Sequence, residues 1–126
     1  MQITKNSEYK IFSKKSKTTP LIKYKKGVLF LEGNSTMKEP AKFYYPIISE
    51  LREFRNKGEF KEIHANFKKF TTRSSNCLVE IFKLLDKVEN SKIIWKYSND
   101  EIFEAGTFID EDCDSEFEFI PIKNKK

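Results

Sequence analysis

Hydrophobic positions along the chain switch repeatedly between a period of two and a period near 3.6. Leu21-Ile22-Lys23-Tyr24 and Val28-Leu29-Phe30-Leu31-Glu32-Gly33 flank the turn signal Lys25-Lys26-Gly27 and predict a β-hairpin with a buried second strand. Phe43, Tyr44, Ile47, Ile48, Leu51 and Phe54 then fall on one helical face, with Gly58 as a stop. Pro46 lies inside that pattern, so either the helix starts one turn before it or it kinks there. From Phe60 to Phe70 the pattern alternates again, with Ile63, Ala65 and Phe67 on one side and Glu62, His64, Asn66 and Lys68 on the other.

After the polar break Thr71-Thr72-Arg73-Ser74-Ser75, the residues Cys77, Leu78, Ile81, Phe82, Leu85 and Val88 recur at helical spacing and predict a second amphipathic helix over 74–89. Any of Thr72, Ser74 or Ser75 is a suitable N-cap. Ile93-Ile94-Trp95-Lys96-Tyr97 reads as a strand, and Asp100 to Gly106 as a short helical turn with acids at its favourable end. Phe117 to Ile122 reads as a last strand, placed at a sheet edge by Pro121. The order β-β-α-β-α-β-α-β predicts an α/β fold: a mixed, mainly parallel sheet of about five strands, covered by two main helices and a short third.

A chain of 126 residues is expected to form one domain. Residues 18–126 are read as that domain. Residues 1–17, polar and Lys-rich, are read either as poorly ordered or as a loose first strand. The longest apolar runs, such as Val28 to Leu31, are far short of the roughly 20 residues of a membrane span, and the first residues lack the apolar stretch of a secretion signal. Cys77 and Cys113 stand in no C-x-x-C spacing. A cytoplasmic protein without disulfide, metal or cofactor is expected.

The net charge of +5 is unevenly laid out: residues 1–28 carry +7, while residues 97–122 hold nine acids and no base. A basic arm raises the possibility of nucleic-acid binding, but no RNP-type motif or recognition-helix pattern accompanies it. Enzymatic constellations are absent too. His64 is the only histidine and falls on the polar side of its strand, and Cys77 starts an apolar helix face, where free cysteine packs as a small hydrophobe. The acidic run Asp110 to Asp114 imitates a calcium loop but has Ser115 where the turn needs Gly and Pro121 where the bidentate Glu belongs. A non-enzymatic protein is the expectation.

The informative feature is the passage from strand through a hydroxyl-rich loop into a helix. A helix N-terminus offers free N–H donors and a partial positive charge, which favour an anion; Arg73, Lys68 and Lys69 add charge nearby. That environment suits a phosphoacceptor, and it suits plain capping hydroxyls equally well.

At this junction the sequence resembles the SiaC-like bacterial regulatory phosphoproteins, over roughly Thr18 to Ile122. The matching pieces are Thr19-Pro20, Gly33-Asn34-Ser35, Glu39-Pro40-Ala41-Lys42-Phe43-Tyr44-Tyr45-Pro46-Ile47, Thr72-Arg73-Ser74-Ser75-Asn76-Cys77-Leu78, Trp95-Lys96-Tyr97 and Asp100-Glu101-Ile102-Phe103-Glu104-Ala105-Gly106. The resemblance implies a single STAS-like domain, similar to the anti-sigma-factor antagonists. It implies a threonine phosphorylated by a dedicated protein kinase, released by a PP2C-like phosphatase, and controlling binding to a diguanylate cyclase in cyclic-di-GMP signalling and biofilm formation.

Carried over by position, the acceptor is Thr72, with Lys69, Arg73, Ser74, Ser75 and Asn76 as partner-binding residues. Thr71 stands where the family has Asn, Arg73 where it has Ser and Asn76 where it has Lys. Thr71, Ser74 and Ser75 are therefore alternative acceptors. Two further readings remain at this point: a STAS-like antagonist that captures an anti-sigma kinase, and a small basic nucleic-acid-binding protein.

Overall fold

The computed structural model describes residues 9–123. The elements are β1 (Tyr9–Ser13), β2 (Leu21–Lys25), β3 (Val28–Ser35), α1 (Pro40–Asn56), β4 (Glu62–Phe70), α2 (Thr72–Lys83), β5 (Lys92–Tyr97), α3 (Asp100–Asp110) and β6 (Glu116–Pro121). They form one six-stranded sheet whose spatial order is the chain order, β1-β2-β3-β4-β5-β6. β1, β2 and β3 are antiparallel neighbours, and β3 to β6 are parallel. The mixed α/β architecture agrees with the alternating pattern of the sequence. The sixth strand is β1, which lies in the Lys-rich segment; residues 1–8 of that segment are outside the described residues.

The hairpin turn is Lys26-Gly27, both with positive φ, 48° and 86°. Two left-handed residues in a two-residue loop make a turn whose twist matches that of the flanking strands. Three successive parallel crossovers all step in the same direction, and with the right-handed rule this places α1, α2 and α3 on one face of the sheet. The buried side chains follow: Ile22, Tyr24, Leu29, Leu31, Ile63, Ala65, Phe67, Ile93 and Trp95 alternate along the strands and form the core with the helices. Tyr24 stacks on Phe54 of α1 at 4.4 Å, and Phe82 of α2 meets the Trp95 indole edge-on at 6.0 Å. The opposite face carries Lys23, Phe30, His64, Ile94 and Glu118 in one row across the sheet. His64 is half-buried there, against the edge of Phe30 and 2.9 Å from Glu62.

Three local readings change. Helix α1 begins at Pro40, in its first turn, where a missing N–H is harmless. It then runs on through Pro46, which is exposed, so water can serve the carbonyl left without a partner. Helix α2 ends at Lys83 rather than near 89. Beyond it the chain tightens into i→i−3 bonds (Leu84 N–H to Ile81, Leu85 N–H to Phe82, Asp86 N–H to Lys83). The Leu85 carbonyl takes the Val88 N–H and the hydroxyls of Ser91 and Ser115 instead of an N–H four residues on. Leu85 still reaches the core, which is why the apolar period outlasts the helix.

The last change concerns the third helix, and an open alternative is resolved at the hairpin's neighbour. α3 is a full helix to Asp110, not a short turn closing at Gly106. Gly106 is a packing residue: a Cβ there would lie 2.5–2.7 Å from atoms of the Trp95 indole. Trp95 cannot yield, being wholly buried and donating its indole N–H to the Ile102 carbonyl at 2.9 Å. β1 makes residues 9–13 part of the sheet, so the strand alternative holds for that part of the N-terminal segment.

Among the described residues no helix is long and apolar enough to cross a membrane. Gly106→Ala is expected to destabilise the protein. Overpacking costs about 1–3 kcal/mol, against a gain in helix propensity of at most about 1 kcal/mol. Urea denaturation of the variant should show a lower midpoint with an unchanged slope.

Candidate functional site

The hydroxyl-rich junction stands at the carboxyl ends of β3 and β4. β4 pairs with β3 through Phe70, opposite Ser35, so the chain is still extended when it reaches Thr71. Thr71 has φ −94° and ψ 165° and is the N-cap of α2. Its Oγ1 accepts from the Ser74 N–H at 3.2 Å, and its carbonyl accepts from the Ser75 N–H at 3.1 Å. This corrects the capping candidates: Thr72, Ser74 and Ser75 all lie inside the helix, because strand pairing runs right up to the residue before the cap.

Ser74 is wholly buried. Its hydroxyl donates to the Ser35 carbonyl at 2.9 Å and accepts from Ser35 Oγ at 2.8 Å. Since Ser35 has one hydroxyl proton, already given to Ser74, the Tyr44 phenol 2.7 Å away is the donor to Ser35. Burial holds the Tyr44 phenol well above its ordinary range, which keeps that proton in place. Thr71 Oγ1 joins from 3.3 Å, and the Thr71 N–H donates to the Ser35 carbonyl at 3.2 Å. The network ties together the end of β3, the start of α2 and the first half of α1. Each buried hydroxyl in it finds a partner, the condition under which a polar cluster rigidifies a core instead of weakening it.

Of the residues singled out in the sequence, Thr71, Thr72, Arg73, Asn76 and Lys69 are exposed, while Ser74 and Ser75 are buried. Ser74 is therefore withdrawn from any partner that docks on the folded domain, and its hydroxyl is closed to a kinase. Ser75, 7% exposed, reaches only the floor of a groove. Thr72 is different from every neighbour: exposed, first in the helix, and, among the described residues, without a side-chain hydrogen bond. Thr71 takes up the N–H groups of Ser74 and Ser75, which leaves those of Thr72 and Arg73 facing outward.

Thr72 stands on a ridge between two hollows. On the α3 side an open groove of about 580 Å³ is lined by Lys69, Phe70, Glu101, Ala105 and Phe108, the last 58% exposed. On the α1 side a shallower cleft holds Met37, Lys38, Glu39 and Arg73, whose guanidinium reaches the Lys38 carbonyl at 3.5 Å. Neither Ser35 and Tyr44, which brace the site, nor Glu101 and Phe108, which wall it, could be found from local pattern. Their partners lie in other elements of the chain, and the Ser35–Ser74 pair spans 39 residues. The two cysteines stand apart from this chemistry. Burial raises the pKa of Cys77, and burial with the neighbouring Asp86 brings Cys113 to about 12, so both are protonated, unreactive thiols.

The sequence profile described as "SiaC family regulatory phosphoprotein" matches residues 13–122. Comparison with curated protein sequences returns no match. Apo-SiaC from Pseudomonas aeruginosa shares the fold with a TM-score of 0.76 at 20% identity, covering 86% of this chain and 95% of that one. A second SiaC structure from that organism gives 0.77, again at 20% identity, over 87% and 96%. A third, of the diguanylate cyclase SiaD in complex with its activator SiaC from Pseudomonas aeruginosa, gives 0.74 at 20% identity over 86% and 96%. Identity at this level speaks for the fold.

The site yields a contrast in stability. Thr71→Ala removes the cap and should cost about 0.5–2 kcal/mol, and Ser74→Ala about 1–3 kcal/mol because it strands Ser35. Thr72→Ala should stay within about 0.5 kcal/mol of the parent. Equilibrium unfolding of the three variants checks the order; equal losses at Thr71 and Thr72 would contradict the capping geometry.

Proposed function

The chain belongs to the SiaC family of regulatory phosphoproteins, and from that premise we propose that it is a non-enzymatic cytoplasmic adaptor switched by phosphorylation of Thr72. The observation that carries the reading is the freedom of one hydroxyl among several. Thr71 is engaged as the cap and Ser74 is sealed in the core, while Thr72 projects unbonded from the first turn of α2. Outward-facing N–H groups, the Arg73 guanidinium and Lys69 surround it with positive charge. A dedicated protein kinase adds the phosphate and a PP2C-like phosphatase removes it.

Magnitudes favour a switch that acts on the surface. A phosphate brings about −1.5 to −2 charges at pH 7. At a helix N-terminus such an anion stabilises the helix by about 0.3–2 kcal/mol, so the domain keeps its fold. Taking a partner from mostly bound to mostly free needs about 5.5 kcal/mol. Pressing a desolvated dianion against a packed interface costs several kcal/mol. The readout is therefore direct blockade of docking at the start of α2, where Lys69, Arg73 and Asn76 are exposed. The partner is a diguanylate cyclase, the class of enzyme in the SiaD–SiaC complex. The sheet order supports an adaptor over an enzyme. Open α/β sheets hold small ligands where the strand order reverses, and β3 to β6 run in chain order.

Intact-mass measurement after incubation with the cognate kinase and ATP tests the acceptor. The parent and Thr71→Ala should gain one phosphate, and Thr72→Ala none. A phosphate retained on Thr72→Ala would move the site elsewhere. Thr72→Asp should weaken binding to the cyclase about tenfold or more, roughly 1.4 kcal/mol, measured by calorimetry, with its thermal midpoint unchanged or raised.

A further inference from the structure

The charge blocks of the sequence become the two edges of the sheet. Residues 9–26, which hold β1 and β2, contain seven lysines and no acid; residues 110–118, which lead into β6 and form its first half, contain six acids and no Lys or Arg. Because strand order is chain order, these blocks lie at opposite ends of a six-stranded sheet, about 24 Å apart at about 4.8 Å per strand. Few of the charges are neutralised locally. Among the described residues Lys10 pairs with Glu50 of α1 and Glu118 with Lys92, whereas Lys14, Lys25 and Lys26 at one edge and Glu111, Asp114 and Glu116 at the other form no ion pair and are exposed.

Each edge also offers apolar surface beside its charge. β1 exposes Tyr9 and Ile11, at 49% and 44%. β6 carries the half-buried Phe117 and Phe119. A sheet edge has free backbone donors and acceptors and invites another chain. Three pairings of edges are conceivable between two copies. β1 against β1 opposes lysines with lysines, and β6 against β6 opposes acids with acids, so both are repelled. Only β1 against β6 brings opposite charges together.

We propose that a second copy of this chain docks its basic β1–β2 edge onto the acidic β6 edge of the first. The occupant is argued from the charge complementarity of the two surfaces. β1 is antiparallel to β2, which is antiparallel to β3, so β1 runs parallel to β6 and a copy can add in the same orientation. The shift of register between Ile11 and Ser13 and the missing N–H of Pro121 keep backbone pairing short. Side-chain charge therefore supplies the attraction and makes it sensitive to salt. A head-to-tail contact uses two different patches and leaves one of each unused, so it builds open chains or a ring rather than a closed dimer. The proposal is independent of the phosphate switch, since none of these charges lies in the first turn of α2.

Sedimentation velocity of the full chain at rising concentration tests it. At about 10 mM ionic strength, where charges are felt over about 30 Å, the sedimentation coefficient should rise with concentration. At about 1 M, where screening acts within about 3 Å, it should be that of a monomer. A triple variant Lys14→Glu, Lys25→Glu, Lys26→Glu brings the basic edge close to neutral, with four lysines against three glutamates, and Glu111→Lys, Asp114→Lys, Glu116→Lys leaves three acids against three lysines in the acidic block, so each variant keeps only one charged edge. Each alone should stay monomeric at low salt, and their equal mixture should associate. Circular dichroism of each variant verifies the fold. A parent that is monomeric at low salt, a dimer indifferent to salt, variants that associate alone like the parent, or folded variants that fail to associate when mixed would each overturn the proposal.

Discussion

Everything at the carboxyl end of the sheet depends on two serines that sit 39 residues apart in the chain and exchange two hydrogen bonds in the core, Ser35 Oγ to Ser74 Oγ and Ser74 Oγ to the Ser35 carbonyl. A buried hydroxyl left without a partner costs about 1–3 kcal/mol. The pair therefore has one low-energy arrangement, and Tyr44 and Thr71 complete it from α1 and from the helix cap. The last residue of β3 is thereby fixed to the first turn of α2. Neither end can move without leaving a buried hydroxyl unpaired.

That rigidity bears directly on the proposed switch at Thr72. In a loose loop, a new phosphate would be accommodated by local rearrangement, and its effect on a partner would be diluted. Here the residue before Thr72 is held by its own N–H and hydroxyl, and the residue two further on is locked into the core. A charge placed on Thr72 stays where it is put, between the Glu101–Phe108 groove and the Arg73 cleft. The same tension appears on a larger scale in the sheet. Since all crossovers step one way, the helices gather on one face, and β3 to β6 follow one another without a reversal of strand order.

Much of the secondary structure could be read from the chain. Alternation through Ile63, Ala65 and Phe67, and helical spacing through Cys77, Leu78, Ile81 and Phe82, are local consequences of one side facing a core, so they leave a periodic trace. The hairpin at Lys26-Gly27, the helical stop at Gly58 and the edge placement of Pro121 are equally local, since each depends on what one residue's backbone can do. The loop between β4 and α2 stands out as a candidate for the same reason: hydroxyls cluster where a strand becomes a helix.

What pattern could not supply was the assignment of roles within that loop and the fate of particular small residues. Thr71, Thr72, Ser74 and Ser75 are near-equivalent as text. Only the register of β4 on β3 makes Thr71 the cap, and only contact with Ser35 takes Ser74 out of solvent. Gly106 reads as a helix stop until Trp95 is seen beneath it. The sequence by itself determined the elements, the α/β class and the separation of charge into a basic and an acidic block, because these depend on neighbours a few residues away. The tertiary structure alone decided which hydroxyl is free and that the two charge blocks face apart across a sheet, because both follow from pairings between residues that the chain keeps distant.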